Sequence, residues 1–434
     1  MKPRGNLHGR RLRRREHCTR IPQTSCKPKF SFATVHEVNY RDALNIEDLR
    51  LIAQRRLPRV AWDFLERGAE DETTLCANRA AFERLRFRPR TLVDVSRRTQ
   101  EVTLFGTTYA APFGIAPTGA AGLYSFEADI ALARAAAAAR IPFILSTASF
   151  VALERVASAA AGAKWFQLYM SKDRDAARRL VERARDAGFE ALVVTTDVPV
   201  GGNREYNRRN GFEVPFRLSV RNAIDGMMHP RWLANVFLRT LVTSGVPRFR
   251  NTDVGGRIVA RNLAEFRARR EALDWSDFNW LRELWPRKLL VKGILTVEDA
   301  LEAARHGADG IFVSNHGGRQ LDGAPAPMEV LPEIVGAVAG KLRIMLDSGV
   351  RRGSDIVKAL ALGADMVFVG RATLYGASAG GEAGVLHAID ILKKEVDRVM
   401  ALIGCPSVET LDPGCLALDE SVPQERLAVQ RAAS

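Results

Sequence analysis

The sequence predicts an α/β protein built on a (β/α)8 TIM barrel, with an N-terminal helical extension and a long insertion after the fourth strand. From residue 113 onward, eight short β-rich runs alternate with helix-like segments. The runs are mostly continuous apolar stretches, as expected for parallel strands that helices cover on both faces. Each run ends on a polar or small residue, and strand ends are where a barrel of this kind carries its active site.

The predicted strands follow one another at intervals typical of repeated strand–helix units. They cover residues 113–118, 143–147, 165–169, 191–197, 289–293, 310–315, 343–348 and 366–371. The helix-like segments between them are 126–140, 173–187, 296–306, 328–339 and 353–363. Gly188 and Gly307 follow two of these segments, and glycine is common just beyond a helix C-terminus.

Three regions are expected along the chain. Residues 1–35 form a basic, disordered tail, because residues 1–30 hold ten Lys and Arg against one acid, Glu16. Residues 36–411 form the barrel domain, which begins with a helical stretch around 46–67. Residues 412–434 form a C-terminal tail. The first 30 residues supply +9 of the net charge of +14, so the domain itself lacks the basic surface of a nucleic-acid-binding protein.

The connection between the fourth and fifth strands, roughly 200–285, is far longer than an ordinary loop. It contains MMHPRWLANVFLRTLV at 227–242, in which apolar residues alternate with Arg231 and Arg239. This pattern fits a helix that packs on its own barrel, and it also fits a basic amphipathic helix lying in a membrane surface. No cysteine pair or histidine stands at metal-ligand spacing, so no metal site is expected.

The loops after the last two strands read DSGVRRGSD (347–355) and GRA (370–372). These loops are the usual phosphate site of a TIM barrel. Their glycines let backbone N–H groups approach an anion, and their arginines add positive charge. A phosphorylated cofactor or substrate is therefore expected. No GxGxxG follows a predicted strand and no GxxxxGK[ST] occurs, which disfavours NAD binding by a Rossmann fold and P-loop chemistry.

Other strand ends carry residues suited to redox chemistry. Lys292 could form a Schiff base or hold negative charge on a cofactor ring. The stretch SNHGGRQLD places His316 three residues before Arg319. An arginine fork suits a carboxylate, and histidine suits proton abstraction near neutral pH. With Asp197 orienting the histidine, the set suits removal of two electrons and two protons from a hydroxy acid, the electrons passing to a phosphate-bearing redox ring.

The order of short motifs resembles one family in particular. The motifs PTG, LSTAS, WFQLY, TTD, VKG, SNHGGRQLD, DSGVRRGSD and GRA occur in that order. Over roughly residues 40–411 the chain resembles the FMN-dependent L-2-hydroxy acid dehydrogenase/oxidase family. LVDVSRR (92–98) and HPRW (229–232) are most similar to members that oxidise (S)-mandelate. The resemblance implies FMN as cofactor and oxidation of an (S)-2-hydroxy acid to the 2-oxo acid.

The resemblance also implies roles for the residues of these motifs. His316 is the active-site base and pairs with Asp197, while Arg319 clamps the substrate carboxylate. Tyr169 hydrogen-bonds the substrate, and Arg204 in GGNRE is a second arginine on the substrate side.

A larger set is implied to hold FMN. Within it, Lys292 stabilises the negative charge that appears at the N1–C2 edge of the ring on reduction. The ring, ribityl chain and phosphate are held by Pro117, Thr118, Gly119, Ser146, Gln167, Thr195, Lys292, Ser314, Asp347, Gly349, Arg351, Gly370 and Arg371.

Two substrate-side positions depart from what is common in the family. Family members usually carry a tyrosine in YDY that helps bind the substrate carboxylate, but AWDFLERGAED (61–71) places Phe64 there. A hydrogen bond to a charged group is worth about 1.5–3 kcal/mol, so we expect weaker substrate binding and expect Phe64→Tyr to tighten it.

Ala148 stands where some members have tryptophan, which predicts a bulky or aromatic, mandelate-like acid as substrate, with lactate as a further candidate. The segment YSFEAD (124–129) also departs from the family, and the sequence assigns it no role.

The expected electron acceptor is a quinone or another membrane acceptor, because 227–242 resembles a membrane-binding segment. This places the protein in the cytoplasm, peripheral on the inner face of the membrane, and the family resemblance implies a homotetramer. No nucleic-acid partner is expected.

Three alternatives remain at this stage. One is an oxidase that reduces oxygen to peroxide, and another is a flavin-binding family member whose activity is altered by Phe64. The third is a barrel isomerase or an enzyme like IMP dehydrogenase. That dehydrogenase needs a cysteine in the barrel mouth, and no cysteine lies between residues 77 and 404.

Overall fold

The computed structural model describes residues 39–171, 173–212, 219–251 and 270–418. Its strands, in chain order, are β1 (Leu85–Phe87), β2 (Val102–Leu104), β3 (Thr107–Tyr109), β4 (Phe113–Ile115), β5 (Phe143–Ser146), β6 (Lys164–Leu168), β7 (Ala191–Thr195), β8 (Lys288–Ile294), β9 (Gly310–Val313), β10 (Arg343–Leu346), β11 (Met366–Val369) and β12 (Leu416–Leu418). The eight strands from β4 to β11 are paired in parallel and close into a barrel, which confirms the predicted fold.

Helices surround this barrel and extend it at both ends of the chain. They are α1 (Ile46–Arg56), α2 (Arg59–Glu66), α3 (Thr73–Glu83), α4 (Ala128–Ala139), α5 (Leu153–Ala159), α6 (Arg174–Asp186), α7 (Glu205–Arg209), α8 (Val220–Met227), α9 (Pro230–Trp232), α10 (Arg239–Ser244), α11 (Trp275–Leu284), α12 (Val297–Arg305), α13 (Pro327–Val338), α14 (Gly353–Ala361) and α15 (Arg371–Ile403). A π-helical turn, Leu233–Leu238, joins α9 to α10, and non-helical backbone at Gly380 and Gly381 interrupts α15.

Large side chains fill the inside of the barrel. Trp165, Phe312 and Phe368 are buried there, with ring centroids 5.4 Å apart for Trp165 and Phe368 and 5.0 Å apart for Phe312 and Phe368. The β2–β3 hairpin adds the buried Leu104 and Tyr109 to the same interior cluster. The interior is therefore a packed core.

Several strands stop earlier than the sequence predicted. β4 ends at Ile115 instead of residue 118, and β7 ends at Thr195 instead of residue 197. Thr118 and Asp197 consequently lie in the loops that follow the strands. The paired strands thus end before these two residues, whereas Ser146, Gln167, Thr195 and Lys292 lie within the paired strands.

The N-terminal helical stretch around 46–67 is divided in two. Proline disfavours helical backbone in the residue before it, and Leu57 is extended before Pro58, at φ −93° and ψ 136°. The new helix α2 begins at Arg59 and takes Phe64 to the barrel mouth.

Two predicted boundaries change. Helix α11 buries Phe278 and Leu281 and occupies the place of the barrel helix after the fourth strand, so the predicted insertion of 200–285 includes that helix. Strand β12 pairs with β1, which extends the folded domain beyond residue 411 to residue 418. Residues 1–35, and 419–434 of the predicted C-terminal tail, lie outside the described residues. In the described ranges no helix is both long enough and apolar enough to cross a bilayer.

Candidate active site

A cavity of about 690 Å³ opens at the carboxyl ends of the barrel strands. Most of the residues that the sequence singled out lie on its surface. These are Phe64, Pro117, Thr118, Gly119, Ala148, Tyr169, Arg204, Lys292, His316, Arg319, Asp347, Gly349, Arg351, Gly370 and Arg371. The other predicted residues do not line the cavity but lie directly behind it, and they are Ser146, Gln167, Thr195, Asp197 and Ser314.

His316 and Asp197 come from different strand ends and meet at the cavity wall. Nδ1 of His316 lies 3.0 Å and 3.2 Å from the two carboxylate oxygens of Asp197. When Nδ1 donates its proton to Asp197, Nε2 is left as the proton acceptor. Burial lowers the pKa of His316 below its ordinary value, although Asp197 opposes this shift. The ring is therefore a neutral base near neutral pH.

Lys292 is held in a buried charged group. Its Nζ lies 2.8 Å from Oδ2 of Asp347 and donates to Oγ of Ser314 at 2.6 Å, while Ser314 donates to Oδ1 of Asp347. Burial by itself would lower the pKa of Lys292, but Asp347 and Asp197 outweigh burial and raise it. The amine is therefore fixed as a cation, which excludes the neutral form that Schiff-base formation requires.

A second buried chain of polar side chains joins the next strand ends. Ser146 Oγ donates to Gln167 Oε1 at 3.0 Å, and Gln167 Nε2 donates to Thr195 Oγ1 at 2.9 Å. Ser146 also accepts a hydrogen bond from the backbone of Ala148, which lines the cavity. Together with the Lys292 group, this chain places buried polar side chains directly behind one side of the cavity.

Arginines give the cavity an excess of positive charge. Burial and the nearby Arg204 lower the pKa of Arg319 to about 9, and burial and the nearby Arg319 lower that of Arg371 to about 10. Both guanidiniums are still cationic at neutral pH. Among the described lining residues the only acidic side chain is Asp347, which is paired with Lys292. Such a site favours anionic ligands.

Arg319 is held by the helix that carries Phe64. Its Nη1 donates to the carbonyl of Phe64 at 2.7 Å, and its guanidinium carbon lies 5.0 Å from the centroid of the Phe64 ring. Arg204 donates to the carbonyl of Arg319 at 3.0 Å, so it supports the loop that presents Arg319.

The same loop depends on close backbone contacts. The amide of Ala69 donates to the carbonyl of Gly318 at 2.9 Å. Gly318 has a φ of +71°, and a Cβ placed there would lie 2.7 Å from the backbone of Leu75. Only glycine avoids both the strained conformation and the clash. The N-terminal helices therefore shape the loop SNHGGRQLD.

The sequence identified Phe64 but not the other aromatic residues that line the cavity. Phe64 contacts Phe212 at a centroid distance of 4.6 Å, and Phe150 contacts Phe249 at 5.3 Å. Tyr124 also lines the cavity. Phe212 and Phe249 belong to the insertion, and no short motif marks them. Only the cluster of aromatic residues around the insertion could have hinted at them.

A sequence model described as "FMN-dependent dehydrogenase" matches residues 53–418. The chain is 46% identical to the (S)-mandelate dehydrogenase of Pseudomonas putida over 378 residues, which cover 87% of this chain and 94% of that protein. It is 43% identical to an L-lactate oxidase of Nostoc sp. over 379 residues, covering 86% of this chain and 98% of that protein.

A solved structure described as that of the monotopic membrane protein (S)-mandelate dehydrogenase is also similar. It superposes with a TM-score of 0.82 at 44% identity, covering 87% of this chain and all of that chain.

Proposed function

This chain belongs to the FMN-dependent dehydrogenase family, and from that premise we propose that it oxidises an (S)-2-hydroxy acid with a bulky or aromatic side chain to the 2-oxo acid. The observation that carries the proposal is the meeting of a neutral base with a carboxylate-binding arginine. His316, backed by Asp197, and Arg319 line one cavity beside the buried Lys292 group.

The described residues fit FMN at both of its ends. The buried polar chain from Ser146 to Thr195 and the Lys292 group match a flat polar heterocycle, with a cation available for its negatively charged edge. At the other end, Arg351 and Arg371 supply charge for a phosphate.

The glycines beside these arginines have different roles. Gly349 has a φ of +84°, and a Cβ there would lie 2.6 Å from the carbonyl of Asn78. Gly370 faces the cavity, where a side chain would take up space next to Thr118. Gly370 therefore lets backbone approach a ligand closely, whereas Gly349 allows its loop to pack against α3.

Oxidation of a CH–OH group to C=O removes two electrons and two protons. FMN, when bound, would accept the two electrons together with one of the two protons. His316 takes a proton from the substrate at Nε2, and Asp197 then stabilises the resulting imidazolium. Arg319 orients the substrate through its carboxylate, and Tyr169, which also lines the cavity, hydrogen-bonds the substrate.

The outer part of the cavity supports a bulky substrate. Ala148 offers only a methyl group to this space, and the paired rings of Phe64 with Phe212 and Phe150 with Phe249 form apolar walls. Such walls favour an aromatic or long apolar side chain over the hydrogen atom of glycolate.

The test uses the purified protein with bound FMN under anaerobic conditions. We expect (S)-mandelate to bleach the flavin absorbance and (R)-mandelate to leave it unchanged, and we expect slower bleaching by glycolate and lactate. The proposal is wrong if no 2-hydroxy acid bleaches the flavin. Faster reduction by glycolate than by (S)-mandelate would contradict the proposed size preference alone.

The insertion supports a peripheral contact with the cytoplasmic face of a membrane. One side of its helices faces the protein, where Trp232 Nε1 donates to the carbonyl of Leu123 at 2.8 Å and Val236 is buried. The other side exposes large apolar residues, namely Val220, Ile224, Met227, Met228, Phe237, Leu238, Leu241 and Val242. Both sequence interpretations thus have support, since the segment packs on the protein with one face and leaves an apolar face for lipid.

Vesicle sedimentation tests this contact. With vesicles of phosphatidylglycerol and phosphatidylcholine, we expect the protein to sediment with lipid. The double variant Met228→Ser with Leu241→Ser should remain in the supernatant. Leu402→Ser is a matched control, because Leu402 is 69% exposed but lies outside the insertion. Equal sedimentation of all three proteins would contradict the membrane contact.

A membrane contact favours a quinone as electron acceptor over oxygen. The second candidate function is a 2-hydroxy acid oxidase, which the similarity to an L-lactate oxidase supports. Comparing reduction of a short-chain quinone with peroxide formation at equal substrate turnover separates the two. A homotetramer stays a prediction of the family resemblance, and light scattering of the purified protein tests it.

A further inference from the structure

Phe64 leaves one side of the cavity without the hydroxyl that the family pattern leads one to expect. Its ring lines the cavity beneath the Arg319 guanidinium, and its carbonyl accepts a hydrogen bond from Arg319 Nη1. A phenylalanine ring offers no donor to an anion. A carboxylate held by Arg319 would therefore have one fewer donor on this side.

Tyr124 reaches the same cavity from another element. It follows a helical turn, Ala121–Leu123, in the loop after β4, and its side chain is almost fully buried at 3% exposure. Trp232 fixes the backbone next to it through a 2.8 Å hydrogen bond to the carbonyl of Leu123. Because both the turn and this hydrogen bond constrain the backbone, the Tyr124 ring has a defined position on the cavity surface.

The Tyr124 hydroxyl has no hydrogen-bond partner among the described residues. Among the described residues, Gln100 Oε1 is the only fully buried side-chain oxygen or nitrogen that has no hydrogen-bond partner. The Tyr124 hydroxyl also has no partner in these ranges, so it must be at least partly accessible to solvent. The ring is buried while its hydroxyl remains accessible, and the accessible space next to it is the cavity. Polar groups in such positions are normally satisfied by water or by a ligand.

The charges around Tyr124 define the chemistry of that ligand. Burial raises the pKa of Tyr124 well above its ordinary value, although Arg319, Arg371 and Arg204 act in the opposite direction. The hydroxyl is therefore protonated throughout the physiological range and can donate. A neutral donor among cationic guanidiniums is suited to an anion.

We propose that the Tyr124 hydroxyl donates a hydrogen bond to the substrate carboxylate that Arg319 binds, and so replaces the hydroxyl that Phe64 lacks. This proposal rests on the proposed function, because it assigns a donor to the carboxylate of the 2-hydroxy acid. In this proposal Phe64 contributes an apolar ring without a hydroxyl, and Tyr124 contributes the hydroxyl that the substrate carboxylate needs.

The experiment measures ligand binding without turnover. Phenylglyoxylate, the 2-oxo acid of mandelate, is titrated into the oxidised protein with bound FMN, and the change in flavin absorbance gives a dissociation constant. We expect Tyr124→Phe to raise this constant about tenfold to a hundredfold, as for loss of a hydrogen bond to a charged group. Tyr109→Phe is the matched control, because Tyr109 is equally buried but lies in the interior cluster below the cavity.

A rescue variant and FMN binding complete the test. Adding Phe64→Tyr to Tyr124→Phe should restore much of the lost affinity, because it returns a hydroxyl to the other member of the pair. The proposal is overturned if Tyr124→Phe, folded as shown by an unchanged melting temperature, binds phenylglyoxylate like the wild type. It is also overturned if the variant loses affinity for FMN instead, since the hydroxyl would then serve the phosphate. The proposed function itself is refuted if no 2-hydroxy acid reduces the flavin of the wild type. The two failures are distinguishable, because the phenylglyoxylate titration measures binding and does not depend on flavin reduction.

Discussion

The two sides of the cavity are built in different ways. The strand-end side consists of residues in the last part of barrel strands or just after them, such as Ser146 with Gln167 and Lys292 with Asp347, and each of these pairs is hydrogen-bonded. The added side consists of Phe64, Tyr124, Phe150, Phe212 and Phe249, which come from α2, from loops and from the insertion. The strand-end side is polar and buried, whereas the added side is mainly aromatic.

The two sides are suited to different tasks, namely holding the cofactor and base on the strand-end side and selecting the substrate on the added side. Side chains fixed at the ends of paired strands have little freedom, so they can hold a cofactor and a base at constant distances. Side chains on loops and on an insertion can change without disturbing the barrel ladder. We therefore expect changes on the strand-end side to alter the chemical step, and changes on the added side to alter which acid is bound.

The largest effect should come from the base of the strand-end side. We expect His316→Asn to slow anaerobic flavin reduction by (S)-mandelate by about 10²- to 10⁴-fold, because general base catalysis typically contributes this much. FMN content and phenylglyoxylate affinity should change little. A loss of less than about tenfold would mean that His316 is not the base.

A smaller effect should come from filling the space at Ala148. This residue stands between the two sides, since its amide donates to Ser146 and its methyl group faces the cavity. We expect Ala148→Trp to lower kcat/KM for (S)-mandelate relative to glycolate by about tenfold to a hundredfold, because apolar size discrimination is of this order. Ala148→Ser is the control of similar size, and equal ratios in both variants would contradict this account of substrate choice.

Restoring a hydroxyl on the added side should have a modest effect. With Tyr124 already serving the carboxylate, Phe64→Tyr alone should lower KM for (S)-mandelate by less than about tenfold, with kcat unchanged. Measuring KM for mandelate, lactate and glycolate checks this. Unchanged values for every acid would show that position 64 does not contact the carboxylate.

The pH dependence should show the smallest effect. The base acts when deprotonated, and burial lowers the pKa of His316, so the active form persists at lower pH than for an ordinary histidine. An ordinary histidine is about half protonated near pH 6.5. We therefore expect kcat/KM at pH 6.5 to stay within about twofold of its value at pH 8, with the acid limb below pH 6.5. An acid limb above pH 6.5 would contradict the lowered pKa.

Much of the strand-end side could be predicted from the sequence. Strands that helices cover on both faces leave continuous apolar runs, and the residue after each run faces the barrel mouth. This rule predicted that His316 and Asp197 lie close together although more than a hundred residues separate them in the sequence. In the structure Nδ1 of His316 lies 3.0 Å from Oδ1 of Asp197. The rule does not give pairing between side chains, so the ion pair of Lys292 with Asp347 was not anticipated.

The added side was predicted less well. Position 64 was identified because a motif marks it, but Tyr124 lies in a segment to which the sequence assigned no role. Phe212 and Phe249 belong to a connection without regular periodicity, where no pattern indicates which residues face the cavity. Their positions follow from how the insertion packs against the barrel, as in the contact of Phe212 with Phe64.

The sequence by itself determined the barrel, the motif order and the residue types at the strand ends, because hydrophobic patterning and strand spacing are local properties. Only the tertiary structure decided which side chains complete the cavity and which charges are paired. The loop SNHGGRQLD shows why: its shape depends on Gly318 lying against the backbone of Leu75 in α3, far away in the sequence. Contacts of this kind arise when distant elements pack, and their distances and burial then set the pKa values and donors on which function depends.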